Sequence, residues 1–100
     1  MFKNDKYITK GISSKLPQET ILLIWSLIDI AREKISLDYL QVFELSILIE
    51  NDVKFQKIVH FQERPKYKKV FCIPCNEPIN EKIYCIDDKT HSTMLFSYEY

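Results

Sequence analysis

Tyr39-Leu40-Gln41-Val42-Phe43-Glu44-Leu45-Ser46-Ile47, followed by Asn51-Asp52 and then by Phe55 to Gln62, decides the fold. The first stretch is rich in β-branched, aromatic and other strand-forming residues, and reads as a long strand. Gln41, Glu44 and Ser46 interrupt its apolar run, so one face of it is expected to be partly wet. Asn51-Asp52 is the turn, and Phe55 to Gln62 is the return strand of a hairpin. Its side chains alternate, with Ile58, His60 and Gln62 on one face and Val59 and Phe61 on the other.

Downstream, Arg64-Pro65 ends the hairpin and Lys69 to Ile73 reads as a further strand. Pro74 and Pro78 bracket a loop. Lys82 to Ile86 and Thr93 to Phe96 form a last hairpin across Asp87-Asp88-Lys89-Thr90-His91-Ser92. Upstream, Tyr7-Ile8-Thr9 reads as a short strand ended by Gly11, the only glycine, with Ser13 and Ser14 in a loop. A helix then runs from Pro17 to about Lys34, opened by a proline near its first position and an acid in its first turn. At about 100° per residue, Ile21, Leu23, Ile24, Leu27, Ile28, Ile30 and Ala31 cover half its circumference. The expected class is α+β: one long N-terminal helix packed on a mostly antiparallel sheet of about five to six strands.

Length and composition fit one domain over residues 1–100. A chain of this size buries roughly 65% of its unfolded surface, enough for a core without staples. Hydrophobic residues make up 46% and charged residues 28%, and no repeat or low-complexity segment argues for disorder. The longest apolar stretch, Ile21 to Ile30, is broken by Ser26 and Asp29 and is too short to span a bilayer. No apolar segment follows the charges of Met1-Phe2-Lys3-Asn4-Asp5-Lys6, so a signal peptide is not expected. Three cysteines and no sign of secretion point to reduced thiols in the cytoplasm.

Three sites could carry chemistry. Cys72-Ile73-Pro74-Cys75, with Cys85 and His91 behind it, supplies the thiolates and imidazole that zinc takes in tetrahedral geometry. Against it, Cys85 and His91 make a loose second pair, and incidental strand cysteines are the blander reading. A redox role would need Cys72 to open a helix, and Asn76-Glu77-Pro78 does not continue as one. Asp87, Asp88 and His91, with His60 as a further candidate, form a carboxylate–imidazole cluster suited to a hard cation or to acid–base work. The same run is also what a hairpin turn looks like, its aspartates capping local N–H groups.

The third candidate follows from charge. Net charge is zero, yet successive segments 1–15, 16–53, 54–75 and 76–100 carry +3, −5, +5 and −3. The basic segment holds Lys54, Lys57, Arg64, Lys66, Lys68 and Lys69, interleaved with Phe55, Phe61 and Tyr67, a composition that suits single-stranded nucleic acid. A lysine-rich edge that wards off aggregation looks the same.

Several of these stretches together resemble a known family. They are Asp38 to Leu45, Ile58 to Tyr67, Ile86-Asp87-Asp88 with Ser92-Thr93-Met94-Leu95, and the opening Tyr7 to Ile12. The family is the bacterial domain of unknown function 960, found mainly in Gram-positive bacteria. The resemblance spans nearly the whole chain and implies a small cytoplasmic protein without an assigned activity, ligand or catalytic residue. It does not extend to the cysteines.

The leading expectation is a small non-enzymatic module that binds another protein or itself. Its motivation is surplus apolar surface: Leu22 and Trp25 lie on the shoulders of the helix's polar side, and Tyr98 and Tyr100 end the chain. Trp25 leans to the core and Leu22 to exposure. A weak nucleic-acid binder comes second, and a small zinc domain or an enzyme third. No membrane partner is expected, and no cofactor beyond the candidate zinc.

Overall fold

The hairpin sets the centre of the sheet. In the computed structural model, which describes residues 1–100, β2 (Leu40–Glu50) and β3 (Val53–Gln62) pair antiparallel from Glu50↔Val53 to Val42↔Phe61. Asn51 and Asp52 both take positive φ, 50° and 64°, as a two-residue turn matched to strand twist requires. Asn and Asp are the non-glycine residues that tolerate this conformation best.

β4 (Tyr67–Pro74) continues from β3 through a loop containing a cis Arg64–Pro65 bond. β5 (Glu81–Asp87) pairs on the other side of β2, and β6 (His91–Phe96) pairs with β5. β1 (Asp5–Ile8) closes that side, parallel to β6. The order is therefore β1-β6-β5-β2-β3-β4, with β5 and β2 in the middle. Four of the five pairings are antiparallel, as expected.

The helical region departs from the expectation. In place of one long helix there are two, α1 (Lys10–Lys15) and α2 (Gln18–Arg32), of 6 and 15 residues. The Thr9 side chain accepts from Ile12 N–H at 3.2 Å and so caps α1, which turns Ile12 into the core. Gly11 sits inside this helix, not after a strand. A Cβ there would lie 2.6 Å from a Glu99 carboxylate oxygen. That carboxylate accepts from Thr9 Oγ1 and Phe96 N–H, both at 2.8 Å, and ties the chain's end to α1. Leu16 and Pro17 separate the helices, because proline has no N–H with which to continue α1. Arg32 closes α2 with a cation in its last turn.

Both helices lie on one side of the sheet. Ile12, Leu16, Ile21, Ile24, Trp25, Leu27 and Ile28 pack with Phe43, Leu45, Ile58, Ile83, Cys85, Met94 and Phe96 in a single core. Phe2 joins them, fully buried. Its N–H donates to Asp87 Oδ2 at 2.7 Å, and its carbonyl accepts from Arg32 at 2.8 Å. Ile30, placed on the apolar arc by its angle, is instead exposed. The molecule is 20 Å thick along its shortest axis, the depth of one helical layer on one sheet.

Candidate functional site

The zinc expectation does not survive the topology. Cys72 lies on β4 and Cys85 on β5, with β3 and β2 between them. Three strand spacings of about 4.8 Å separate their backbones by roughly 14 Å, whereas ligands about 2.3 Å from one ion must nearly touch. Register also puts Cys72, opposite Lys57, on the face away from the helices, while Cys85 is fully buried beneath them. Burial raises the Cys85 thiol pKa well above its usual value, so it stays protonated. Cys75 follows β4, its N–H donating to the Lys54 carbonyl, and His91 begins β6. Nowhere do three Cys, His, Asp or Glu side chains converge as metal ligands.

The carboxylate–imidazole cluster also comes apart. Asp88 Oδ1 accepts from Thr90 N–H, Thr90 Oγ1 and His91 N–H at 2.8–3.0 Å, which makes it the cap of the β5–β6 turn. These bonds, with the one from the His91 N–H foremost, lower its pKa. His91 Nε2 lies 3.3 Å from Asp88 Oδ2 at the surface. Asp87 turns inward. Burial alone would raise its pKa, but bonds from Phe2 N–H, Lys89 N–H and Asn4 and the nearby N-terminal ammonium lower it instead. It anchors the first residues of the chain. His60 is remote from all three, fully buried on β3 under the helices. Its ring stacks on Phe43 at 4.2 Å between centroids, meets Tyr67 edge-on at 5.4 Å, and bonds Gln41 Oε1 at 2.7 Å.

The basic segment is divided by the pleat. Lys57 and Lys68 project from the sheet's open face; Lys54 and Lys69, by register, project on the helix side. Arg64 and Lys66 lie in the loop. Phe55 and Phe61 share the open face, but Tyr67 is buried on the helix side and offers no ring to a base. The six cations do not form one surface.

The helix shoulders behave differently. Trp25 is 9% exposed and belongs to the core; Leu22 is 58% exposed. A groove of about 570 Å³ runs between α2 and β1, lined by Lys6, Ile8, Leu16, Ile21, Leu22 and Trp25. Lys6 Nζ sits 5.6 Å from the centre of the Trp25 ring, and roofs the edge that the core leaves open. β1 is an outer strand, and Thr9 N–H donates to the Met94 carbonyl. By alternation, the backbone groups of Lys6 and Ile8 point away from β6 towards the free edge. An apolar trough thus borders unpaired strand backbone.

The sheet's other face was not anticipated as a site. Opposite the helices it carries Leu95, Tyr84, Val42 and Phe61 side by side across β6, β5, β2 and β3. Ile86 and Leu40 border this row on one side, and Lys82, Glu44, Val59 and Val70 on the other. Period-two alternation in Phe55–Gln62 places Val59 and Phe61 together on it; the rest needs the strand order.

No helix is long and apolar enough to cross a membrane. No curated protein matches the chain. It is similar to a protein of unknown function from Enterococcus faecalis whose crystal structure is solved, at 25% identity and a TM-score of 0.74, over 97% of this chain and 91% of that one. A family of staphylococcal proteins of unknown function, DUF960, matches residues 5–99. Covered over almost its entire length by that match, and sharing its fold with the enterococcal protein, the chain belongs to the DUF960 family.

Proposed function

We propose that the domain is a non-enzymatic interaction module of the bacterial cytoplasm, and that the groove between β1 and α2 takes an extended segment of a partner protein. The observation that carries this reading is Leu22: a large apolar side chain, 58% exposed, next to the unpaired edge of β1. An added strand would pair with the backbone of Lys6 and Ile8 and set alternate side chains against Leu22 and the edge of Trp25. Lys6 is the sole charged residue among the groove's lining, which favours a segment with a carboxylate near that end. Three free cysteines agree with a reducing compartment.

The test is affinity capture from a nuclease-treated extract, with wild-type protein beside Leu22→Ser. A protein partner retained by the wild type after nuclease and lost with Leu22→Ser supports the groove. Retention by both removes Leu22 from the interface, and loss on nuclease treatment transfers the case to nucleic acid.

A further inference from the structure

The first turn of α2 and the loop that leaves β4 border a cleft of about 450 Å³, a size that takes a small molecule. Pro17, Glu19 and Thr20 line it from the helix; Ile73, Cys75 and Glu77 line it from β4 and the loop. Gln18, Leu22 and Trp25 belong to the other side of α2, where they line the groove at β1, so the two sites are separate.

The head of the helix is open to an acceptor. The Pro17 carbonyl takes the N–H groups of Thr20 and Ile21 at 3.0 and 3.1 Å, and its ring supplies no side-chain cap. The N–H groups of Gln18 and Glu19 come before the first intrahelical bond and point out of the helix end. Thr20 gives an independent sign. It is 3% exposed and lines the cleft, yet its hydroxyl joins none of the hydrogen bonds within the chain. Ser26, on the wet side of the same helix, turns back to the Leu22 carbonyl at 2.9 Å; Thr20 makes no such bond. A buried hydroxyl without a partner costs free energy that a bound acceptor would recover.

The cleft also carries the opposite charge. Its two carboxylates, Glu19 and Glu77, have no cation: the ion pairs of the chain are Lys15–Glu81, Asp29–Arg32 and Asp88–His91. A simple anion at the helix end would be repelled by these two acids, and a simple cation would meet the positive end of the helix dipole. A ligand that bears both charges on one carbon satisfies both.

We propose that this cleft binds a free amino acid. The carboxylate accepts from the N–H groups at the head of α2 and from the Thr20 hydroxyl, as anions do at helix N-termini. The ammonium donates to Glu19 and Glu77. The side chain lies along Pro17 and Ile73, and Cys75 borders it.

Titration of the isotope-labelled chain with glycine, leucine and phenylalanine, followed by amide chemical shifts, tests this. At least one of the three at millimolar concentration is expected to shift the amides of Glu19, Thr20, Cys75 and Glu77. Its carboxamide, which lacks the carboxylate, and its N-acetyl form, which lacks the ammonium, are each expected to bind at least about tenfold more weakly, the weight of one hydrogen bond to a charged group. Thr20→Val keeps the shape and removes the hydroxyl, and Glu77→Gln removes an exposed charge; each is expected to weaken binding about tenfold and to leave the chain folded in melting curves. The bound amino acid is also expected to slow alkylation of Cys75 by iodoacetamide and to leave that of Cys72, outside the cleft, unchanged. Equal binding of the N-acetyl form would reduce the cleft to an anion site, and equal binding of the carboxamide to a cation site. Either result, an undiminished affinity in Thr20→Val, or shifts absent with all three amino acids overturns the proposal.

Discussion

At position 60 the chain places an imidazole where helices and sheet meet. His60 is fully buried, its Nε2 is engaged by Gln41, and its Nδ1 has no hydrogen-bond partner. Gln41 in turn donates to Gln62, which donates to the carbonyls of Ser36 and Pro65, so a chain of amides fixes the ring. No acid stands beside the ring to welcome a proton. Burial lowers the His60 pKa from 6.5 to about 4. The unfolded chain takes up a proton near pH 6.5 and the folded one only near 4, so the folded state loses ground as pH falls between those values. The loss amounts to roughly 3 kcal/mol, and is complete once both states are protonated. Denaturant midpoints measured from pH 7 to pH 4 should fall accordingly, and His60→Gln should flatten the slope in that window. An equal slope in the variant would place the acid sensitivity elsewhere. Asp87, whose pKa is lowered, acts in a lower range: its contribution is present above the usual carboxylate value and fades as pH drops below it.

At the scale of elements, the two shoulders of α2 part company, and one pair of substitutions separates them. Trp25 packs with the core and under Lys6, so Trp25→Ala should cost about 3–5 kcal/mol, a threat to folding in a domain this small. Leu22→Ser removes a side chain that faces water and should lower the melting temperature by no more than about 2–4 °C, about what a surface change does in a domain of this size. Comparable losses from both would mean that Leu22 is covered. The angular position of Leu22 made its exposure readable from sequence; for Trp25 the angle pointed the same way, and its size and the nearby β1 edge drew it inward. The hairpin was equally plain, because alternation, β-branched residues and Asn51-Asp52 all agree. α1 was not. Gly11 and two serines disguise six helical residues, and the cap that starts them, Thr9, reads as the end of a strand. A Cβ at Gly11 would press on the Glu99 carboxylate, 88 positions later in the chain, and no local pattern announces that contact.

Across the whole molecule, what stayed hidden in the sequence is what depends on neighbours far apart in the chain. β1 pairs parallel with β6, 86 residues on, because Phe2 is drawn into the core and Asp87 holds its N–H. Nothing in Tyr7-Ile8-Thr9 names that neighbour. The same blindness explains the cysteines. Their spacing resembles a metal site only while strand order is unknown; with β3 and β2 inserted between β4 and β5, Cys72 and Cys85 end on different strands and opposite faces. With the proposed ligands apart, the packed core and the sheet carry the stability. A structural zinc site would release its folding free energy to a chelator, and the melting temperature would drop when the metal is stripped. Here melting curves with and without chelator should superimpose, and Cys72→Ser and Cys75→Ser, both at the β4 end of the sheet, should each shift stability by less than about 1 kcal/mol. Cys85→Ser is the instructive contrast. It sets a hydroxyl among Ile83, Met94 and the helices, where burial without a partner should cost about 1–3 kcal/mol whether or not metal is present. A loss at Cys85 that chelation leaves untouched identifies a core position. If chelator and Cys72→Ser instead lowered the melting point together, the thiols would have to meet in some arrangement other than this sheet.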